Sequence, residues 1–95
     1  MEFEWDADKA SGNLKKHCVG FPEASTVFGD PLEITIPDLE HSEGETRFLS
    51  LGLSAEARLL VVAYTEREGT TRIIHARVAA PKERRVYESG QQSKD

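Results

Sequence analysis

The chain has 95 residues, of which 38% are hydrophobic and 31% are charged, and its formal net charge is −5. This length suits one small domain without an enclosed cofactor cavity, and the composition excludes a disordered or membrane-spanning chain. The single cysteine cannot form an internal disulfide, and the first residues resemble no signal peptide. We therefore expect a cytoplasmic protein with no cofactor and no membrane contact.

The charge is divided unevenly along the chain. Residues 1–57 contain four Lys or Arg and twelve Asp or Glu, a net charge of −8, whereas residues 58–95 contain eight and five, a net charge of +3. Local potential rather than net charge decides whether a polyanion can dock. The negative total therefore does not exclude a nucleic-acid ligand.

Capping residues and hydrophobic spacing predict one strand and two helices in the N-terminal third. Asp6 is a good N-cap, and Gly20 before Pro22 marks a second helix start. The predicted elements are a short strand around 3–5, a helix over 7–17 and a shorter helix over 21–28. The 3–4 spacing on the first helix predicts an apolar face made of Ala7, Ala10, Leu14 and His17.

The remainder predicts four strands and a final helix. Alternation favours strands at 32–36, 47–53, 59–65 and 71–78, and the apolar run from Leu59 to Ala63 predicts a central strand covered on both faces. Pro81 opens a helix of about two turns that ends near Glu88. We expect residues 1–88 to form a single domain and residues 89–95 a polar, frayed tail.

The order β-α-α-β-β-β-β-α predicts an α+β fold. Short loops between sequential strands favour hairpins, so the expected architecture is an antiparallel sheet. The two N-terminal helices are expected on one face of this sheet, followed by a short C-terminal helix.

Arginines recur on neighbouring predicted strands. Arg47, Arg67 and Arg77 lie on three such strands, and alternation places Arg77 on the same side as Ile73 and His75. Forked guanidinium groups suit a phosphate-binding surface, and Arg67 and Arg77 are expected to converge near one phosphate. Spacing alone favours the other interpretation, that these are ordinary solvated charges.

Other residues give weaker signals. His17, Cys18 and His41 do not show the spacing of a metal site, so no metal is expected, and His17 fits a packed or capping histidine better. The acidic segment 38–43 suits a cation or partner site, but it fits a solvated loop better. Arg58, in a turn, is expected to matter little.

The chain also resembles the BrnT family of type II toxins over nearly its whole length. The resemblance is carried by Phe3-Glu4-Trp5-Asp6, Lys16-His17, Val27-Phe28 with Asp30-Pro31, Tyr64-Thr65-Glu66-Arg67, Ala76-Arg77 and Glu83-Arg84-Arg85-Val86-Tyr87-Glu88. Two departures stand out: Cys18 replaces a usual Gly, and His75 stands where a small Ser is common. His75 thereby adds a titratable group to the expected active face.

This resemblance implies a RelE-like fold and a metal-independent endoribonuclease that stops translation. In that chemistry an RNA 2′-hydroxyl attacks the adjacent phosphorus, which requires a proton acceptor, a proton donor and cations. The residues expected to bind phosphate and transition-state charge are Arg47, Arg67, Arg77 and Arg84. The candidate proton shuttles are Tyr87, Glu83 or His17; His75 has the best intrinsic pKa, but the resemblance does not support it.

The resemblance also implies a protein partner. This would be a BrnA-type antitoxin with a ribbon-helix-helix DNA-binding domain, in a heterotetramer or larger complex that contacts DNA only through the antitoxin. An alternative is a non-catalytic interaction module whose basic face binds an acidic antitoxin segment. Activity on RNA separates the two, and an enzyme of unrelated acid–base chemistry is a distant third.

Overall fold

The computed structural model describes residues 1–92 as an α+β fold with a five-stranded sheet and three helices. Its elements are β1 (Glu2–Glu4), α1 (Ala7–His17), α2 (Phe21–Ser25) with a 3₁₀ turn (Thr26–Gly29), β2 (Ile34–Pro37), a 3₁₀ turn (Leu39–His41), β3 (Arg47–Leu53), β4 (Leu59–Arg67), β5 (Thr70–Val78) and α3 (Pro81–Gln92). Within residues 1–92, no helix has the length and apolar character that crossing a bilayer requires.

The sheet has the strand order β1-β5-β4-β3-β2, so β4 is central. Residues 59–65 of β4 are all buried, which confirms the prediction from the apolar run. The expectation of a wholly antiparallel sheet is wrong at one edge, because β1 pairs with β5 in parallel over Glu2–Glu4. Short loops predict antiparallel pairing only between sequential strands, and β1 and β5 are distant in sequence and are not joined by a turn.

A β-bulge in β5 changes which side chains share a face. Tyr64 pairs with Ile73 and Ala63 pairs with His75, so Ile74 is the extra residue. An extra residue reverses the alternation on the bulged strand. Ile73 therefore joins the buried core instead of lying beside His75 as the alternation predicted, whereas His75 and Arg77 share the opposite face.

The core lies between one sheet face and the segment formed by α2 and its 3₁₀ turn. Its members are 0–1% exposed: Val19, Phe21, Ala24, Val27, Leu60, Val62, Ile73 and Ala76. The turn approaches β3 so closely that a Cβ atom at Gly52 would lie 2.8 Å from Cγ1 of Val27. Gly52 thus permits the contact between layers.

Helix α1 lies at the edge of β5, where β1 no longer pairs. Its expected apolar face is partly wrong, because Leu14 is 55% exposed while Asn13 is buried. The Asn13 side chain hydrogen-bonds to both backbone groups of Ala76 and donates to the carbonyl of Val19 at 2.9 Å. The side of α1 that faces inward is therefore determined by hydrogen bonds to the free backbone groups of β5, not by burial of apolar side chains.

Helix α3 begins at Pro81 as expected but runs to Gln92, so residues 89–92, assigned to a frayed tail, are helical. Residues 93–95 of that tail lie outside the described residues. Tyr87 is buried, and its hydroxyl donates to Oδ2 of Asp30 at 2.6 Å. Val86 contributes to an apolar groove with β2, β3 and β4. These contacts hold the first two turns of α3 on the sheet.

Candidate active site

A cleft of about 390 Å³ opens on the sheet face that carries His75 and Arg77. Its apolar lining comes from Leu49, Val61 and Ala63 of β3 and β4. Strand pairing explains the arrangement, because His75 lies opposite Ala63 and Arg77 opposite Val61. The polar lining consists of Arg47, His75, Arg77, Asp38, Glu40 and His41.

Arg77 forms a two-point ion pair with Glu83 of α3. Its Nη1 and Nη2 atoms lie 2.8 and 2.7 Å from the two carboxylate oxygens, and Glu83 also accepts the backbone N–H of Ala80 at 2.8 Å. The hydrogen bond from Arg77 holds the pKa of Glu83 below its usual range, against the opposing effect of burial. Glu83 is therefore ionised and occupies the guanidinium fork that a phosphate would use.

Arg47 presents a buried donor without an acceptor. Its Nε has no hydrogen-bond partner within residues 1–92. The backbone around it is fixed, because its N–H donates to Oγ of Ser42 at 2.8 Å and its carbonyl accepts from Asp38 at 2.6 Å. An unsatisfied buried donor is costly, and an anion in the cleft could satisfy it.

His75 contacts His17 across the junction of β5 and α1. The two Nε2 atoms lie 3.2 Å apart, and the rings meet edge to face with centroids 4.8 Å apart. Burial lowers the pKa of His75, and electrostatic repulsion from His17, Arg77, Arg47 and Lys16 lowers it further. His75 is therefore neutral at neutral pH while it stands between cationic neighbours.

Arg67 lies elsewhere. Arg67 pairs with Thr70 at the hairpin end, whereas Arg77 pairs with Val61. Val61 lies six residues before Arg67 on β4, so the backbones of Arg67 and Arg77 are about 20 Å apart along the strands. The Nε and Nη2 atoms of Arg67 bind Glu45 at 2.7 and 3.0 Å. The expected convergence of Arg67 and Arg77 on one phosphate is therefore wrong.

The remaining candidates also lie outside the cleft lining. Arg84 is exposed on α3, and the Tyr87 hydroxyl is bound to Asp30, which also accepts the N–H of Leu53 at 2.8 Å. Arg58 is not a loose turn residue, because it binds both carboxylate oxygens of Glu23. The structure thus brings together Arg47, Arg77, Glu83, His17 and His75 out of the residues considered.

The acidic segment 38–43, for which the sequence favours a solvated loop, contributes to the cleft lining. Asp38 and His41 lie on this segment, with His41 Nδ1 3.0 Å from Oδ2 of Asp38. The backbone N–H of Asp38 and the side-chain hydroxyl of Ser42 bond to the backbone of Arg47 and hold the segment against the sheet. Among residues 1–92, no three His, Cys, Asp or Glu side chains meet as metal ligands.

Fold and cleft together define a small α+β protein whose sheet carries a cleft lined by two arginines, two histidines and two carboxylates. A family model described as the ribonuclease toxin BrnT of type II toxin–antitoxin systems matches residues 5–83, so this chain belongs to that family. It is therefore a ribonuclease toxin whose system supplies a protein antitoxin as partner.

A solved structure shares the fold. The crystal structure of the Brucella abortus ribonuclease toxin BrnT matches with a TM-score of 0.66 and 18% sequence identity, covering 84% of this chain and 97% of that one. A search of curated proteins returned no match.

Proposed function

We propose that this toxin is a RelE-like, metal-independent endoribonuclease that stops translation by cutting RNA. A ribose 2′-oxygen would attack the adjacent phosphorus and leave a 2′,3′-cyclic phosphate and a 5′-hydroxyl. The phosphorane formed on the way carries more negative charge than the diester, so fixed cations favour the transition state over the substrate.

The observation that carries this proposal is the meeting of Arg47 and Arg77 in one cleft. Arg47 offers an Nε donor that has no acceptor within residues 1–92, and Arg77 offers a planar fork. A phosphodiester in the cleft would satisfy the first and compete with Glu83 for the second. Arg67 and Arg84, which are absent from the cleft lining, would contact flanking nucleotides rather than the reacting phosphate.

A second hollow adjoins the cleft and extends the cationic surface. His75 lines both, and the hollow is also lined by Lys9, Lys16 and His17 of α1. A nucleotide chain leaving the cleft past His75 would meet these lysines. This arrangement fits a strand of several nucleotides better than a single mononucleotide.

The test is cleavage by antitoxin-free toxin of two substrates. One is a single-stranded RNA oligonucleotide with excess EDTA present, and the other is an mRNA on translating ribosomes in the Mg²⁺ that ribosomes require. We expect at least one to be cut, with cyclic phosphate and 5′-hydroxyl ends. Cutting of neither, cutting of the oligonucleotide only when EDTA is left out, or 3′-hydroxyl products would overturn the proposal. The same substrate with a single 2′-deoxy nucleotide at the cut site is the matched control and should stay intact.

For the partner, we propose a BrnA-type antitoxin with a ribbon-helix-helix domain that covers the cleft. Such domains dimerise, so the complex would be a heterotetramer or larger, and DNA would be bound only through the antitoxin. Light scattering on the co-purified complex measures this mass. A stable 1:1 species at micromolar concentration contradicts the assembly but not the nuclease activity.

A further inference from the structure

The geometry points to His75 as the general base of the cleavage reaction, held in its working tautomer by His17. This inference rests on the proposed nuclease function and assigns its proton acceptor. His75 is a catalytic residue because it lines the cleft beside Arg47 and Arg77. His17 is a positioning residue, since it acts through His75.

The contact between the two rings restricts where protons can be. At 3.2 Å the two Nε2 atoms cannot both carry a hydrogen directed at the other, so one donates and the other accepts. If His75 donates from Nε2, its neutral ring has an unprotonated Nδ1. That nitrogen is then the one available to accept a proton from substrate.

The groups that surround His75 favour its neutral form. Helix α1 brings His17 and Lys16, the strands bring Arg47 and Arg77, and β4 adds only apolar side chains opposite them. Two acidic groups, Asp38 and Glu40, line the cleft from the loop, with Asp38 bound to His41. Glu83 of α3 lies outside the cleft lining and is bound to Arg77.

The proposed step balances without any co-reactant. The 2′-oxygen forms a bond to phosphorus while the bond from phosphorus to the 5′-oxygen breaks. The 2′-hydroxyl proton passes to Nδ1 of His75, and the departing 5′-oxygen takes a proton from solvent. His75 is left as an imidazolium that still donates from Nε2 to His17, and it afterwards returns its extra proton to solvent.

The remaining histidine, His41, also lines the cleft but is held less firmly than His75. Its side chain is 59% exposed and its Nδ1 is bound to Asp38. It lies on a loop, whereas His75 is held in a central strand pair with Ala63. Position on a rigid element is what a base within reach of a 2′-hydroxyl requires.

The first experiment measures single-turnover cleavage by His75→Gln on whichever substrate the wild-type toxin cuts, together with its affinity for a 2′-O-methyl RNA that cannot be cut. We expect the rate to fall about 10²-fold or more and the affinity to be unchanged, because glutamine cannot accept the proton. His75→Ala with added imidazole checks the chemistry independently of folding, since free imidazole should restore part of the rate. His75→Gln cutting at the wild-type rate would overturn the inference while leaving the nuclease function intact.

The second experiment follows the pH dependence of the rate. A base must be deprotonated, so activity falls as pH drops through the pKa of His75. His17 lowers this pKa, because two protonated rings in contact repel each other. In His17→Gln this repulsion is absent, and the acid limb should move to higher pH. Lys15→Gln removes a positive charge from the exposed side of α1, outside both hollows, so it is the matched control and should leave the limb in place. If the acid limb of the rate profile stays in place in His17→Gln, His17 does not position His75. A wild-type toxin that cuts neither RNA would overturn both proposals.

Discussion

Asn13 and Ala76 form a contact in which a helix side chain takes the place of a β-strand. The amide oxygen of Asn13 accepts the N–H of Ala76 at 3.1 Å, and the amide nitrogen donates to its carbonyl at 2.8 Å. Both backbone groups would otherwise be unpaired at the edge of β5, beyond the last residue of β1. His17 follows four residues later on the same side of α1, so this contact also helps to hold His17 against His75.

Asn13→Ala should lower the free energy of unfolding by about 3 kcal/mol, since it leaves buried backbone groups without partners. Leu14→Ala, at the exposed neighbouring position, should change it by less than about 0.5 kcal/mol. Urea denaturation of both variants measures the difference. A larger loss from Leu14→Ala would show that α1 faces the sheet with its other side.

Arg77→Ala should slow RNA cleavage about 10²-fold or more, roughly 3 kcal/mol, because it removes a fixed donor at the developing charge. Arg77→Lys should recover only part of this, since an ammonium group cannot reproduce the two-point geometry. Arg85→Ala, on the exposed side of α3, is the matched control. Wild-type cleavage by a normally folded Arg77→Ala would exclude Arg77 from the mechanism.

Glu83→Gln should bind uncleavable RNA more tightly. It removes a negative charge from the fork that a phosphate must enter, and about 1 kcal/mol of repulsion corresponds to about a fivefold gain in affinity. Fluorescence anisotropy with 2′-O-methyl RNA measures this. If instead Glu83→Gln binds normally but no longer cleaves, Glu83 is the proton acceptor and His75 is not.

Cys18→Gly should stabilise the protein by about 1 kcal/mol. Cys18 ends α1 in the left-handed region with φ 58°, a conformation that costs little only for glycine. In a domain of this size that gain raises the melting temperature by about 4–8 °C. Cys18→Ala removes the thiol but keeps the strain, so it should melt close to the wild type; an equal rise in both variants would trace the effect to the thiol.

Glu23→Gln should destabilise the fold by about 2 kcal/mol at neutral pH, because it disrupts the charged hydrogen bonds that join Glu23 to Arg58 and Ser54. The bond from Arg58 lowers the pKa of Glu23 in the folded state. A lowered folded pKa contributes stability above the ordinary carboxyl pKa, and this contribution is lost as pH falls through the folded value. The difference from wild type should therefore shrink by pH 3, and a constant difference in denaturant melts would contradict this account.

The sequence by itself determined those helices and strands whose ends depend only on residues nearby in the chain. The limits of α1 match the prediction because Asp6 caps the helix locally, accepting the N–H of Lys9 at 3.0 Å. β3 also matches, and β4 is central because seven consecutive buried residues require cover on both faces. The arginine-bearing sheet face could be predicted in outline for the same reason, since alternation along a strand is a local property.

Only the tertiary structure decided which of these residues meet. The bulge at Ile74 placed Ile73 in the core, and the long β4–β5 hairpin separated Arg67 from Arg77. The pairing of His17 with His75 depends on where α1 docks along β5, which Asn13 determines through backbone groups 63 residues away. Contacts between residues so far apart in sequence depend on the whole packing arrangement and leave no periodic pattern in the chain.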